Sequence, residues 1–153
     1  MAKSVASKIL LIGFICGALG IIAFHQTTLL LLHYHAAKLP ILIEYLGRAP
    51  APYSFVPLPP FGQPSIVSLA LWGGFWGIVL ALLLRFVPLG EFFLGFVFGA
   101  AALTMASLFV GPGLIGQPLL EGASDQVWLR TALLNGAWGW GTVFLLRPFA
   151  VRG

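Results

Sequence analysis

The chemistry-bearing side chains of this sequence are mostly neutral. His25 and Gln26 stand side by side in a long apolar stretch, and Thr104, Ser107 and Asn135 lie in two others. A polar group in apolar surroundings costs free energy unless it meets a partner or a cavity. Two arrangements are open. Either His25, Gln26, Thr104, Ser107 and Asn135 line an outward-open polar pocket, or they hydrogen-bond between helices, with His25 capped by Asn135 or a backbone carbonyl. A bis-histidine haem needs a second histidine facing His25 at the same depth. His33 and His35 instead lie a helical turn or more beyond it. His33-Tyr34-His35 also aims its two imidazoles at divergent faces of a helix, so no metal or cofactor is expected. Cys16 is the only cysteine, which rules out an intrachain disulfide. Glu121 and Asp125 read as solvated loop carboxylates. The His-Glu-x-x-His, Gly-x-Ser-x-Gly, Walker and Cys-x-x-Cys motifs are all absent, and the chain reads as a non-enzyme.

The elements that must position these residues follow from composition. Of 153 residues, 8% are charged and 59% hydrophobic, against roughly 25% charged in an ordinary soluble domain. A disordered chain and a nucleic-acid-binding domain are excluded, since the net charge of +4 comes with no basic cluster. The charges leave four windows free: 9–37, 49–84, 92–120 and 131–146. A helix needs about 20 apolar residues to cross a bilayer. The expected fold is therefore all-α, a bundle of four transmembrane helices in one domain, with spans at about 9–32, 66–85, 92–112 and 129–147.

Lys and Arg near the span ends set orientation. With both termini cytoplasmic, Lys3, Lys8, Arg85, Arg147 and Arg152 fall inside, and Lys38, Arg48 and Arg130 outside. The N-terminal stretch resembles a signal peptide, but the apolar run continues to Leu32 without a cleavage site, so an uncleaved anchor is expected.

The outer loop, 33–65, has two parts. Pro40 to Gly47 suits a short helix lying in the membrane interface. Pro50, Pro52, Pro57, Pro59, Pro60 and Pro64 favour extended backbone, and Tyr53, Phe55 and Phe61 make that stretch too apolar for a free linker. A cap folded over the outer helix ends is expected. A second outer loop, 113–128, is glycine-rich. The inner connection from Phe86 to Glu91 is short, which predicts that spans 2 and 3 pack as antiparallel neighbours.

Each span carries a stripe of small residues at helical spacing. In span 1 it holds Gly13, Cys16, Gly17, Gly20, Thr27 and Thr28. Gly73 and Gly77, Gly95 and Gly99, and Gly139 mark the stripes of the other spans. Small faces let helix backbones approach closely, either within the bundle or against another subunit. Large aromatics, including Trp72, Trp76, Phe96, Trp138 and Trp140, are assigned to the opposite faces, toward lipid or a partner, with Trp72 as an interface anchor. An internal repeat is also visible. Gly13-Phe14-x-x-Gly17-Ala18 matches Gly95-Phe96-x-x-Gly99-Ala100, Trp72 to Gly77 is similar to Asn135 to Gly141, and Gly62-Gln63-Pro64 matches Gly116-Gln117-Pro118. Either a duplicated two-helix unit or chance similarity between glycine-rich helices accounts for it.

The stretches Phe24-His25-Gln26, Pro57-Leu58-Pro59-Pro60-Phe61-Gly62 and Leu71 to Gly77 resemble small four-span bacterial inner-membrane proteins of unassigned function. That resemblance implies a bacterial inner membrane and carries no active site. The functional expectation is a non-enzymatic accessory or scaffolding subunit packed in a membrane complex or a homo-oligomer. Its expected partners are the lipid bilayer and other membrane subunits or itself, with no nucleic acid. The alternative is a small carrier or channel for an uncharged or lipidic substrate.

Overall fold

A computed structural model describes residues 2–110 and 124–149. Glu121, the Gly116-Gln117-Pro118 motif and Arg152 lie outside the described residues. Among those described, helix dominates and the only strands form a two-residue ladder.

Helix α1 (Ala2–Gly20) runs through a π turn at Ile21–His25 into α2 (Gln26–Tyr34). After a 3₁₀ turn, α3 (Pro40–Leu46) follows, with proline at its first helical position, where no N–H bond is lost. Helix α4 spans Ser65–Phe86. Helix α5 (Glu91–Phe98) passes through a second π turn, Gly99–Leu103, into α6 (Thr104–Phe109). Helix α7 spans Asp125–Leu146, with Ser124 as N-cap accepting from Val127 N at 3.4 Å. The expected spans 9–32 and 66–85 sit within helices, 129–147 runs one residue past α7, and 92–112 runs past α6 to end outside the described residues. Three are long and apolar enough to cross a membrane: Ser7–Tyr34, Ser65–Phe86 and Glu91–Phe109. Helix α7 has the length, at 22 residues, but Arg130, Asn135 and its glycines dilute its apolar character.

Two glycine crossings build the bundle. Gly13 and Gly17 of α1 meet Gly77 and Gly73 of α4, where a Cβ on Gly17 would lie 2.7 Å from Gly77 Cα. Gly95 and Gly99 meet Gly139 and Asn135 of α7, where a Cβ on Gly95 would lie 2.6 Å from Gly139 O. The Phe14 ring covers Gly74, and the Phe96 ring covers Gly136, each leaving a Cβ only 2.7 Å from its ring. The contacts therefore match position by position: 13, 14 and 17 stand to 77, 74 and 73 as 95, 96 and 99 stand to 139, 136 and 135. At these close crossings dispersion between backbones supplies the attraction. The two helical halves of the repeat thus make equivalent packing units.

Helix α7 is the centre, touching α1 through α6. It buries Trp138, Val143 and Leu146 in a core shared with Ile21, Leu80 and Leu103. Three expectations need correction. Trp138 is fully enclosed (0% exposed), not turned to lipid or a partner. Its indole N–H donates to Gly17 O at 2.8 Å, a bond that requires the ring to enter the interface. Thr27 is exposed, not on the glycine stripe, because the π turn adds a residue and rotates α2 relative to α1. Helices α4 and α5 touch only lightly despite their short connection, since no glycine pair lets them close up; Trp76 and Phe98 meet with ring centroids 5.9 Å apart.

Candidate polar cavity beneath the proline-rich cap

At the end of the bundle where α2 finishes and α4 and α7 begin, the segment from His35 to Pro64 folds over the helices as a cap. Helix α3 ends at Gly47, whose φ of +64° suits glycine. The last carbonyls of a helix need partners, and α7 supplies them. Gln126 Nε2 donates to Glu44 O at 2.9 Å, and the Arg130 guanidinium donates to Leu46 O at 2.7 Å and Arg48 O at 3.2 Å. His33 Nδ1 is 2.8 Å from Ala49 O.

The extended stretch is tied to the start of α4. Ser65 N donates to Val56 O and Ile66 N to Ser54 O, both at 3.0 Å, so cap carbonyls satisfy N–H groups that a helix start leaves open. The Ser65 hydroxyl adds a bond to Ser54 O at 2.8 Å. Pro57–Leu58 and Gln63–Pro64 form a short antiparallel ladder, which the proline content did not predict. Tyr53 has a φ of +52°, a strained value for a side chain of its size. Two bonds hold it there: its N–H to Gln26 Oε1 at 2.7 Å, and its hydroxyl to Ile22 O at 3.1 Å.

The two π turns set the depth of the site. A π turn leaves carbonyls out of the regular i to i−4 ladder. In the first, Gln26 N reaches back to Ile21 O, and Ile22 O accepts Tyr53 instead. In the second, Gly99 O accepts the Thr104 hydroxyl at 3.4 Å. That hydroxyl in turn accepts Asn135 Nδ2 at 3.1 Å.

Between cap and helices lies a cavity of about 560 Å³. The α1–α2 rod contributes His25, Gln26 and Leu29. The cap contributes Pro50, Ala51, Ser54 and Leu58. Helix α4 gives Ser65, Ile66, Ser68, Leu69 and Trp72; α6 gives Ser107; and α7 gives Arg130, Thr131 and Leu134. Polar groups converging in an apolar concavity are the usual makings of a small-molecule site.

The five candidate residues divide. His25, Gln26 and Ser107 line the cavity. Thr104 (2% exposed) and Asn135 (4%) are bonded to each other between helices and do not line it. The polar residues thus fall into a cavity-lining subset and an interhelical-bonding subset. The pairing of His25 with Asn135 is not found. The imidazole meets Gln26 Nε2 at the long distance of 3.4 Å.

Of the lining residues that sequence reasoning left out, three bear most on the chemistry. Arg130 was counted only as an outer charge, although a lone arginine one turn into an apolar helix is itself a signal. Ser68 carries no sequence signal of its own, and its Oγ is buried with no hydrogen-bond partner. Trp72, assigned as an interface anchor, forms part of the wall.

Among the described residues, no three His, Cys, Asp or Glu side chains converge to hold a metal ion. A second, more apolar groove of about 630 Å³ runs along α1 and α7 past Ile15, Leu19 and Phe144 to Arg147. Compared with known proteins, the chain matches no family model, no curated protein and no solved structure.

Proposed function

We propose that this chain is a multi-pass integral membrane protein with four crossings and cytoplasmic termini, whose outward cavity beneath the proline-rich cap binds a lipidic or amphiphilic molecule, as a small carrier or lipid-binding protein would. The observation that carries this reading is the cavity itself: about 560 Å³, half roofed by the cap, with His25, Gln26, Ser68 and Arg130 converging on walls of Leu29, Leu69 and Trp72. An unpartnered hydroxyl buried at Ser68 is a cost that a bound polar group would remove.

Membrane insertion is supported by the surface. Leu11 is 61% exposed, Phe93 64% and Phe144 54%, an apolar coat that water penalises and hydrocarbon does not. The helix α7 crossing is supported by its place at the centre of the three apolar helices. The termini-inside orientation is supported by Arg85 and Arg147 at the end opposite the cap, against Lys38, Arg48 and Arg130 at the cap end.

The second reading is the accessory or scaffolding subunit. The glycine stripes no longer favour it, since Gly13, Gly17, Gly73, Gly77, Gly95, Gly99 and Gly139 are all spent on internal crossings. What favours it is an exposed aromatic patch, in which Trp140 and Phe144 stack with centroids 6.0 Å apart and Phe24 abuts both.

Native mass spectrometry of the gently solubilised chain tests the choice. A bound amphiphile that is lost when Ser68→Phe fills the cavity supports the first reading. A complex with stoichiometric protein subunits, and no amphiphile in the wild type, overturns it in favour of the second. Cysteines introduced at Ser124 and Phe86, with Cys16 replaced by serine, test topology. Labelling of both from the same side of the membrane contradicts the assigned crossings.

A further inference from the structure

The geometry points to an amphiphile with an anionic, phosphate-type headgroup as the molecule this cavity takes, its head at Arg130 and its chain along Leu29, Leu69, Trp72 and Leu134. The inference rests on the cavity reading above and adds the chemistry of the ligand.

Arg130 is the only charged side chain among the lining residues described, and no carboxylate is among them. Arg147 pairs with Glu91 far away, at the opposite end. The guanidinium is placed rather than neutralised. Its bonds run from one terminal nitrogen to the carbonyls of Leu46 and Arg48, which orient it but carry no charge. Arginine held this way keeps further N–H donors for a ligand, and its planar fork matches phosphate oxygens.

Other donors line the same cavity. Ser68 Oγ is buried and unpartnered. His25 is 8% exposed and has only its long contact to Gln26. Ser107 and Thr131 add hydroxyls from the facing helices. One fixed cation and several donors, with no acid among the described lining residues, make a site for an anion. The aliphatic and indole wall beyond them makes that anion the head of an apolar molecule. A free inorganic anion would leave this wall without a partner.

The test uses the full chain in nonionic detergent, equilibrated with equal amounts of phosphatidylglycerol and phosphatidylcholine bearing identical chains. Bound lipid is read by native mass spectrometry. The wild type is expected to retain phosphatidylglycerol by about tenfold over phosphatidylcholine, the scale of one charge-assisted hydrogen bond. Added salt should reduce that ratio only partly, because the site is half-buried. Arg130→Lys should keep most of the preference and Arg130→Gln should lose it. If Arg130→Gln unfolds through loss of its cap bonds, the wild-type ratio and its salt dependence still decide.

Inorganic phosphate added at the lipid concentration is expected to leave bound lipid in place. If phosphate displaces it, the ligand is a free anion and the amphiphile is wrong. Equal retention of both lipids, abolished by Ser68→Phe, overturns the anionic headgroup and leaves the cavity reading standing. Retention that Ser68→Phe does not change overturns the cavity reading itself.

Discussion

The matched pair Trp76 and Trp138 offers a sharp test of the packing argument. Each stands one residue before the glycine, Gly77 or Gly139, that its crossing uses. Only one of the two indoles is bonded. Trp138 Nε1 donates to Gly17 O at 2.8 Å, while Trp76 Nε1 is buried with no partner. The natural counterpart acceptor, Gly99 O, already receives the Thr104 hydroxyl. Trp138→Phe removes an interhelical hydrogen bond, worth about 0.6 and at most about 1.7 kcal/mol in a membrane protein. It also opens a gap in a fully enclosed site. Whole-ring removal costs roughly 3–5 kcal/mol, and the lost part of the indole is a fraction of that, about 1–2 kcal/mol. The total is about 2–3 kcal/mol. Trp76→Phe opens a smaller gap, because that ring is only partly buried, and it also removes an unsatisfied buried N–H, whose desolvation costs about 1–3 kcal/mol. The two terms offset, leaving a net effect within about 1 kcal/mol of zero. Reversible unfolding in mixed micelles of rising dodecyl sulfate fraction, followed by circular dichroism, measures both. Equal losses, or a larger loss at Trp76, would refute the assignment of the hydrogen bond as the distinguishing term.

The same contacts set other outcomes. Gly17→Leu and Gly99→Leu each drive a side chain into the backbone of Gly73 or Asn135; both should abolish the cooperative melt, a loss above about 3 kcal/mol. Gly62→Ala meets open space and only a positive φ of 69°, so it should cost no more than about 1–2 kcal/mol. A melt of Gly17→Leu as sharp as that of Gly62→Ala would contradict the crossing. Gln26→Ala removes the acceptor of Tyr53 N–H, and hydrogen exchange over residues 50–64 should quicken while α1 and α4 stay protected; unchanged exchange would show that the ladder alone holds the cap.

Much of the architecture was legible because apolar length and charge placement report helices directly. The stretch 66–85 became Ser65–Phe86, and the expected interfacial segment became Pro40–Leu46. Glycine spacing likewise announced the crossings, although not which helices would meet: Gly95 and Gly99 chose α7, not the sequence-adjacent α4. The candidate site was legible only in part. His25, Gln26 and Ser107 reach the cavity, whereas Thr104 and Asn135 satisfy one another. Polarity in an apolar run says that a partner exists, and not whether that partner is a helix or a ligand. The π turns were invisible because they are changes of hydrogen-bond register that no residue pattern marks. With them went the placement of Thr27 and the acceptor for Tyr53. Trp138 was misplaced because its size was weighed and its single donor was not.

The π turn at Ile21–His25 gives the cavity an unusual genetic address. A π turn is an α-helix carrying one surplus residue, and here it starts after the glycines that pack α1 on α4 and ends at the imidazole that, with the amide next to it, lines the cavity. Loss of a single codon within that turn would leave Gly13 and Gly17 in register with Gly77 and Gly73. Everything beyond would swing by about 100° around the helix axis, carrying His25 and Gln26 off the cavity wall and parting Tyr53 from both its acceptors. Scaffold and cavity wall are therefore separately heritable: one small deletion would strip His25 and Gln26 from the wall of a lineage while its bundle persisted, and one insertion into a plain glycine-packed helix would be enough to place them there.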